Sequence, residues 1–283
     1  MDFILYCSLS ILIIGALIII IVKLVGSNSQ KNELIRTAED DGNAENQFNL
    51  GLKYLYGDSV QQDSHKALEW FTKAAEQGDA RAQLELGAMY ARGDGLPQDL
   101  SRGIHWYTKA AEQGEVESQF RLGCMYQNGE GVERNLLKAL GWFMKAAEQG
   151  DARSQCNIGF IYEGEGPERD LDKAIKWYTK AADQGDALAQ NNLAGLIYDQ
   201  GPADQKNLEK AMEYYRKAAE QGFADAQYHL GLIYFEGLPA HFEGSPPEPG
   251  YLQGIDWMKL AAAQDHQGAI KFLEEKRKHM YWD

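Results

Sequence analysis

Two short runs of helical hydrophobic periodicity alternate along most of the chain, separated by turns rich in glycine. In residues 78–113 the first run places Ala82, Leu86, Met89 and Tyr90 three or four residues apart, which is the spacing of one face of an α-helix. A turn containing two glycines and a proline would end that helix. The second run then carries Ile104, Trp106, Tyr107, Ala110 and Ala111. The pattern predicts a helix, a short loop and a second helix.

The same pattern recurs with a nearly constant period. The glycines that close the second runs are 36, 36, 36, 35 and 37 residues apart, at Gly42, Gly78, Gly114, Gly150, Gly185 and Gly222. Asp265 takes the next equivalent position, and Asp can adopt the left-handed conformation that Gly favours at the end of a helix. A single repeat of this kind cannot bury its apolar faces alone, so repeats stack on one another. We therefore predict an all-α fold, a right-handed superhelical solenoid with capping helices.

We assign the solenoid to residues 33–283, with units 42–77, 78–113, 114–149, 150–184, 185–221 and 222–264 and a C-terminal cap at 265–283. The fifth unit departs from the pattern, because it either places Ala194 where other units have Gly or holds one extra residue. The sixth unit is expanded by residues 238–250, which contain four of the seven prolines. This loop is interpreted either as a tolerated insertion or as a contact for a partner.

The repeated residues resemble the Sel1-like repeats, relatives of the tetratricopeptide repeats. The first half of that motif, A-x-x-x-L-G-x-x-Y-x-x-G-x-G, is carried by Leu86, Gly87, Tyr90, Gly93 and Gly95. The second half, K-A-x-x-W-Y-x-K-A-A-x-x-G, stands most plainly at residues 173–185. The resemblance implies an adaptor or scaffold for protein–protein interaction, since such proteins rarely look like catalysts.

An apolar segment precedes the repeats. Phe3 to Val22 is a run of 20 uncharged, mostly aliphatic residues, long enough to cross a bilayer as a helix. A cleaved signal peptide is the alternative, but it typically has a basic N-terminal region and a small-residue cleavage site, and this segment lacks both. We predict an uncleaved transmembrane anchor at residues 1–25 and a polar linker at 26–32.

The charges around this segment predict its orientation. Lys23, Lys31 and Arg36 follow the segment and no Lys or Arg precedes it. The positive-inside rule then places the repeats in the cytoplasm of a single-pass protein, in the inner membrane if the organism is bacterial. The resemblance favours the periplasm as an alternative, because many bacterial proteins with such repeats are exported. Cys124 and Cys156 do not follow the paired pattern of secreted members, which favours a reducing compartment.

Composition narrows the range of functions. The formal net charge is −14, which argues against a nucleic-acid partner because phosphate binding needs a basic surface. The six histidines share no repeat position and no metal-ligand spacing, so we expect no metal and no cofactor. The sequence contains no constellation of catalytic residues, so we do not expect the protein to be an enzyme. Tryptophan recurs at one position of the second helix, and this position is predicted to be core: Trp70, Trp106, Trp142, Trp177 and Trp257.

One side of each first helix is a candidate binding surface. At about 100° per residue, the repeated Ala, Gln, Leu, Gly and Tyr cover one side, and positions three, six, ten, thirteen and fourteen after the turn Gly cluster opposite. In the resembled tetratricopeptide family the corresponding positions line a concave groove. The candidate partner-binding residues are Phe48, Leu52, Arg81, Leu84, Arg92, Phe120, Arg153, Phe160, Tyr198, Tyr228 and Phe235. The alternative is that positions six and ten pack against the adjacent unit.

Together these features predict a membrane-tethered adaptor that binds a protein or peptide in the groove. One alternative is a structural subunit of a bacterial envelope complex, held by its transmembrane helix, in which Gly15 and Ala16 form a small-residue patch. A hydrolase is a further alternative, for which the sequence offers no residues.

Overall fold

The computed structural model describes residues 33, 35–38, 42–164, 167–200, 205–236 and 249–279. The predicted anchor and linker lie outside these residues, as does most of the proline-rich loop. Within the described part, no helix is both long enough and apolar enough to span a membrane.

Every regular element in the described residues is a helix. A short helical segment at residues 33 and 35–38 comes first. Thirteen helices with defined bounds follow in the described chain: α1 (Ala44–Tyr56), α2 (Ser64–Glu76), α3 (Ala80–Arg92), α4 (Leu100–Glu112), α5 (Val116–Asn128), α6 (Leu136–Glu148), α7 (Ala152–Glu163), α8 (Leu171–Asp183), α9 (Ala187–Gln200), α10 (Gln205–Glu220), α11 (Ala224–Glu236), α12 (Pro249–Ala262) and α13 (Gln267–His279).

Local chemistry fixes where the helices begin and end. The Asp79 carboxylate accepts the backbone N–H groups of Arg81 and Ala82 at 2.9 and 3.1 Å, and so caps α3. The preceding helix closes with Gly78 at φ 95°, where the Asp79 N–H donates to the Ala74 carbonyl at 3.1 Å. This is a Schellman closure, which requires a left-handed residue. Asp265 takes that conformation at φ 62°, as the sequence predicted.

The described residues form two compact units, one ending at Asn135 and one beginning at Leu136. In the first unit each of the helices α1 to α4 packs on the next in sequence. Its main buried cluster joins repeats one and two and includes Phe71, Leu86 and Met89. In the second unit α6 to α13 also pack on their sequence neighbours. Its buried clusters lie around Tyr178, Tyr215 and Met258.

The two helices of a repeat meet where a glycine faces an aromatic ring. A Cβ added to Gly87 would lie 2.5 Å from Cδ1 of Tyr107, and one added to Gly159 would lie 2.7 Å from Cδ1 of Tyr178. Real Cβ atoms do not approach a ring this closely, so the flat surface of a glycine is what admits the aromatic side chain.

The prediction that the tryptophans form the core is correct only in part. Trp70 is buried, but the other four tryptophans of this position are half-buried. The residue that follows each tryptophan lies fully inside instead, as Phe71, Phe143, Tyr178 and Met258 do. The tryptophan rings cover the rim of the core, and lysine ammonium groups lie over them. The distances from Nζ to the ring centroid are 3.9 Å for Lys73–Trp70, 4.6 Å for Lys109–Trp106, 4.1 Å for Lys145–Trp142 and 4.1 Å for Lys180–Trp177.

The fifth repeat keeps its register. Helix α9 is continuous from Ala187 to Gln200, and Ala194 is fully buried at the position that other repeats give to Gly. Gln190 still donates to the Ala182 carbonyl at 3.1 Å, as its counterparts do in other repeats. Of the two interpretations of this repeat, the structure therefore supports the replacement of Gly by Ala.

Buried glutamines link consecutive repeats, a feature that the sequence pattern did not reveal. Gln83 is 4% exposed, and its amide nitrogen donates to the Ala75 carbonyl at 3.0 Å. The oxygen of the same amide accepts from Gln113 of the next turn at 2.7 Å. Equivalent pairs join Gln77 to Gln47, Gln184 to Gln155, Gln221 to Gln190 and Gln264 to Gln227. Each amide is thus satisfied where it is buried, so it costs little stability.

Candidate protein-binding face of the first helices

The first helix of each repeat has one buried side and one that is not part of the core. In α3 the side chains of Ala82, Leu86 and Met89 are fully buried against the second helices. Leu84 and Arg92 lie on the other side, half-buried and exposed respectively. We define the binding face as this second side of the first helices. Each of the two compact units carries its own part of this face.

In the first unit, Phe48 and Leu52 take part in the packing between repeats. Phe48 is 8% exposed, and its ring centroid lies 5.7 Å from that of Phe71. The guanidinium carbon of Arg81, from the next repeat, lies 4.5 Å from the Phe48 centroid. Leu52 is half-buried and packs against the same cluster. The contact of Phe48 with Arg81 agrees with the alternative in which position six packs against the adjacent repeat.

The three candidate arginines are exposed and held by aspartates two residues away. Arg81 bonds to Asp79 at 2.7 Å, Arg92 to Asp94 at 2.6 Å and Arg153 to Asp151 at 3.0 Å. Each pair fixes a guanidinium group at the surface, although exposed pairs of this kind contribute little to stability. The charged residues of the face are therefore positioned and largely neutralised.

The apolar candidates of the face differ widely in exposure. Phe160 on α7 is 55% exposed, whereas Phe120 on α5 is half-buried. Tyr198 on α9 is half-buried and packs against two buried clusters. Leu188, which precedes it on the same helix, is 48% exposed. Leu188 is not among the predicted binding residues, although it occupies the same repeat position as Arg81 and Arg153.

The last two helices and the turn between them cover the last two candidates. The ring of Tyr228 lies 4.5 Å from that of His266. Phe235 lies 4.7 Å from both Tyr251 and Phe272. In the second unit, Phe160 and Leu188 are therefore the more exposed apolar residues of the binding face, and Tyr228 and Phe235 contribute to the C-terminal cap.

The cysteine and tyrosine side chains considered next have structural rather than chemical roles. Burial, with the nearby Asp186 carboxylate, raises the pKa of the Cys156 thiol well above its usual range, so the thiol stays protonated at neutral pH. Burial and the Glu163 carboxylate likewise raise the pKa of Tyr178, whose hydroxyl donates to Glu163 at 2.6 Å. Neither cysteine of the described chain is in a disulfide. No group of three His, Cys, Asp or Glu in that part of the chain could hold a metal ion.

Two solved structures are similar to this chain over most of its length. The first is a protective antigen of uropathogenic Escherichia coli with an SLR fold, at 32% identity and a TM-score of 0.75 over 92% of this chain. The chain spans 58% of the length of that protein. The second is a Sel1 repeat protein of Oxalobacter formigenes, at 30% identity and a TM-score of 0.66, with 85% of this chain and 94% of that chain covered. No curated protein is similar enough to count as a match.

The Sel1 repeat model matches the chain six times in succession, at residues 45–79, 80–115, 116–151, 152–186, 187–223 and 224–266. These matches cover more than half of the sequence and agree with the helix pairs of the structure. The predicted all-α solenoid is confirmed, and the chain belongs to the Sel1 repeat family.

Proposed function

We propose that this protein is a membrane-tethered scaffold or adaptor that binds a protein or peptide segment along the binding face of its first helices. Sel1 repeat solenoids typically serve as interaction modules rather than as enzymes. No resident cofactor or metal is part of this proposal, and no nucleic acid is expected as a partner because the chain is strongly acidic.

The contrast between the two sides of α7 carries the proposal. Ile158 and Ile161 are buried on the core side, while Phe160 between them leaves 55% of its surface in water. A large ring held on a rigid helix loses little entropy when a partner covers it, so aromatic residues are favoured at interfaces. Leu188 on α9 adds a second exposed apolar side chain in the same unit.

The pattern across repeats supports the same function. Core positions keep the same residue types from one repeat to the next, since each repeat must stack on its neighbours. Position ten of the first helix instead holds Leu52, Ala88, Cys124, Phe160, Gly195 and Leu232. Variation at the members of this position that stay accessible, as Phe160 does, is how a repeat scaffold becomes specific for one segment while it retains its fold.

The test replaces the exposed Phe160 together with the half-buried Phe120 and measures how much partner protein co-purifies with the full chain. We expect Phe160→Ala combined with Phe120→Ala to reduce recovery about tenfold, the loss expected for an aromatic interface residue. Leu137→Ala is the matched control, because Leu137 is 65% exposed but lies on the second helix α6. Unchanged recovery with the double variant, or an equal loss with the control, would reject the binding face.

We further propose that Phe3 to Val22 tethers the solenoid to the membrane as a single-pass anchor, ahead of a linker at residues 26–32 and the solenoid at 33–283. A tether raises the local concentration of the scaffold near membrane partners. Replacement of residues 3–22 by an unrelated anchor should then preserve activity in the cell. Loss of activity, with insertion intact, would favour the structural-subunit alternative, in which Gly15 and Ala16 make specific helix contacts.

A further inference from the structure

A hollow of about 440 Å³ lies between the first two repeats, within the unit that ends at Asn135. One wall is formed by Leu55 and Tyr56 at the end of α1 and by Gln62 in the following loop. The other wall is formed by Glu85 and Arg92 of α3 and by Asp94 in the loop after it. Arg92 belongs to the binding face, so the hollow opens on the surface proposed to meet a partner.

The charges around the hollow sum to one net negative charge, because the carboxylates of Glu85 and Asp94 outnumber the guanidinium of Arg92. The Nε of Arg92 donates to the Asp94 carboxylate at 2.6 Å, and these two charges cancel. Glu85 is half-buried, and its carboxylate accepts no hydrogen bond from any residue of the described chain. Burial raises the pKa of Glu85, against the opposing charge of Arg92. A partly desolvated carboxylate that lacks a donor is unfavourable for the free protein and is suited to an incoming cation.

Two further groups fit the same kind of ligand. Tyr56 is 72% exposed, the highest value among the large hydrophobic residues described, and a phenol ring attracts a cation to its face. The side-chain nitrogen of Gln62 already donates to the Leu55 carbonyl at 2.9 Å. That bond fixes the amide and leaves its oxygen as an additional acceptor beside the hollow.

We propose that this hollow binds a basic side chain of the partner segment, with the Glu85 carboxylate accepting its N–H groups and the Tyr56 ring lying against the cation. The inference rests on the proposed function in one respect, because the basic residue is part of a protein or peptide partner. It assigns to the first two repeats a chemical specificity that the apolar residues of α7 and α9 do not have.

The test uses the full chain with ¹³C-labelled leucine methyl groups and two small probes. N-acetyl-arginine N′-methylamide carries the guanidinium group, and the citrulline analogue has the same shape without the charge. We expect the arginine probe to shift the methyl signals of Leu55 in a saturable manner and the citrulline probe to leave them unmoved. The methyl signals of Leu137, in the other unit, serve as an internal reference.

Two variants with the same change of charge complete the design. Glu85→Gln should weaken binding of the arginine probe about tenfold, the usual effect of losing one charged hydrogen bond. Glu69→Gln, at an exposed position of α2, should bind the probe like the wild type. Equal shifts with arginine and citrulline, or unchanged binding by Glu85→Gln, would overturn the proposal. Because the probe requires no partner, an arginine-specific shift would uphold the hollow even if the Phe160 variant rejected the wider binding face.

Discussion

At the scale of single residues, the glycine of each first helix decides how closely the two helices of a repeat approach. The ring of Tyr107 lies where the Cβ of any other residue at position 87 would be. Ala194 is the exception, and there the neighbouring ring belongs to Tyr215, in contact with a buried alanine.

We expect Gly87→Ala to destabilise the protein and Gly141→Ala to stabilise it. The new methyl group at position 87 would overlap Tyr107, and overpacking of a core costs about 1–3 kcal/mol. A Cβ at Gly141, on an exposed site of α6, would meet nothing within 4 Å. There the higher helix propensity of Ala should add about 1 kcal/mol. Urea unfolding followed by circular dichroism measures both, and a gain in stability for Gly87→Ala would show that the ring is not fixed.

Single residues also show why the core was predicted only in part from the sequence. Trp106 and Tyr107 are both apolar and adjacent, so periodicity alone could not tell which of them faces inwards. The structure selects Tyr107 because it lies opposite Gly87. The glutamine links were missed for a different reason. The repeated Gln was predicted on the core side, but its hydrogen-bond partners lie in other helices and do not follow from the spacing. A detectable signal existed, because Gln83 and its counterparts recur with the period in an otherwise apolar stripe.

At the scale of helices, most of the organisation could be predicted. Turn glycines and helical spacing are local signals, and they gave the helix pairs that the structure contains. The candidate binding residues were harder, because exposure depends on which neighbouring element lies over a position. Phe160 and Phe235 both occupy the predicted binding side of their helices. Only Phe235 is covered, by Tyr251 and Phe272 of the last two helices.

The surroundings of His229 on α11 predict how the stability of the protein depends on pH. His229 stacks on Tyr215 of α10 with centroids 5.3 Å apart, and Asp225, His266 and Asp199 are the charged or titratable groups near it. Burial lowers the pKa of His229, against the attraction of Asp225. The folded state then binds fewer protons than the unfolded state, so stability is complete above the unfolded pKa of 6.5 and falls as the pH decreases through it.

We expect the wild type to lose more stability than His229→Gln between pH 7.5 and 5.5, since the neutral amide does not titrate in this range. Thermal unfolding at the two pH values measures the difference. His105→Gln is the control, because His105 is exposed on α4 in the other unit, and its pH dependence should follow the wild type. Equal losses for His229→Gln and the wild type would show that His229 is readily protonated in the folded state.

At the scale of the whole molecule, the anchor that we propose at Phe3 to Val22 makes the side of the membrane decide which partners can reach the binding face. Lys23, Lys31 and Arg36 follow the apolar run Phe3 to Val22, and no basic residue precedes it. Positive residues close to such a run are retained in the cytoplasm, while the acidic residues nearby have little influence. We therefore expect a cytoplasm-active reporter fused after Asp283 to be active and a periplasm-active reporter at the same site to be silent.

The control for this topology experiment moves the positive charge. Substitution of Lys23, Lys31 and Arg36 by glutamine, with three lysines inserted after Met1, should invert the orientation, because the bias of basic residues would then be reversed. Activity of the periplasmic reporter in the unaltered chain would contradict the charge bias and agree with the export seen in many bacterial proteins with such repeats. In that compartment the partner would be an envelope protein, and its basic segment would have to reach Glu85 and Tyr56 from the outer side of the membrane.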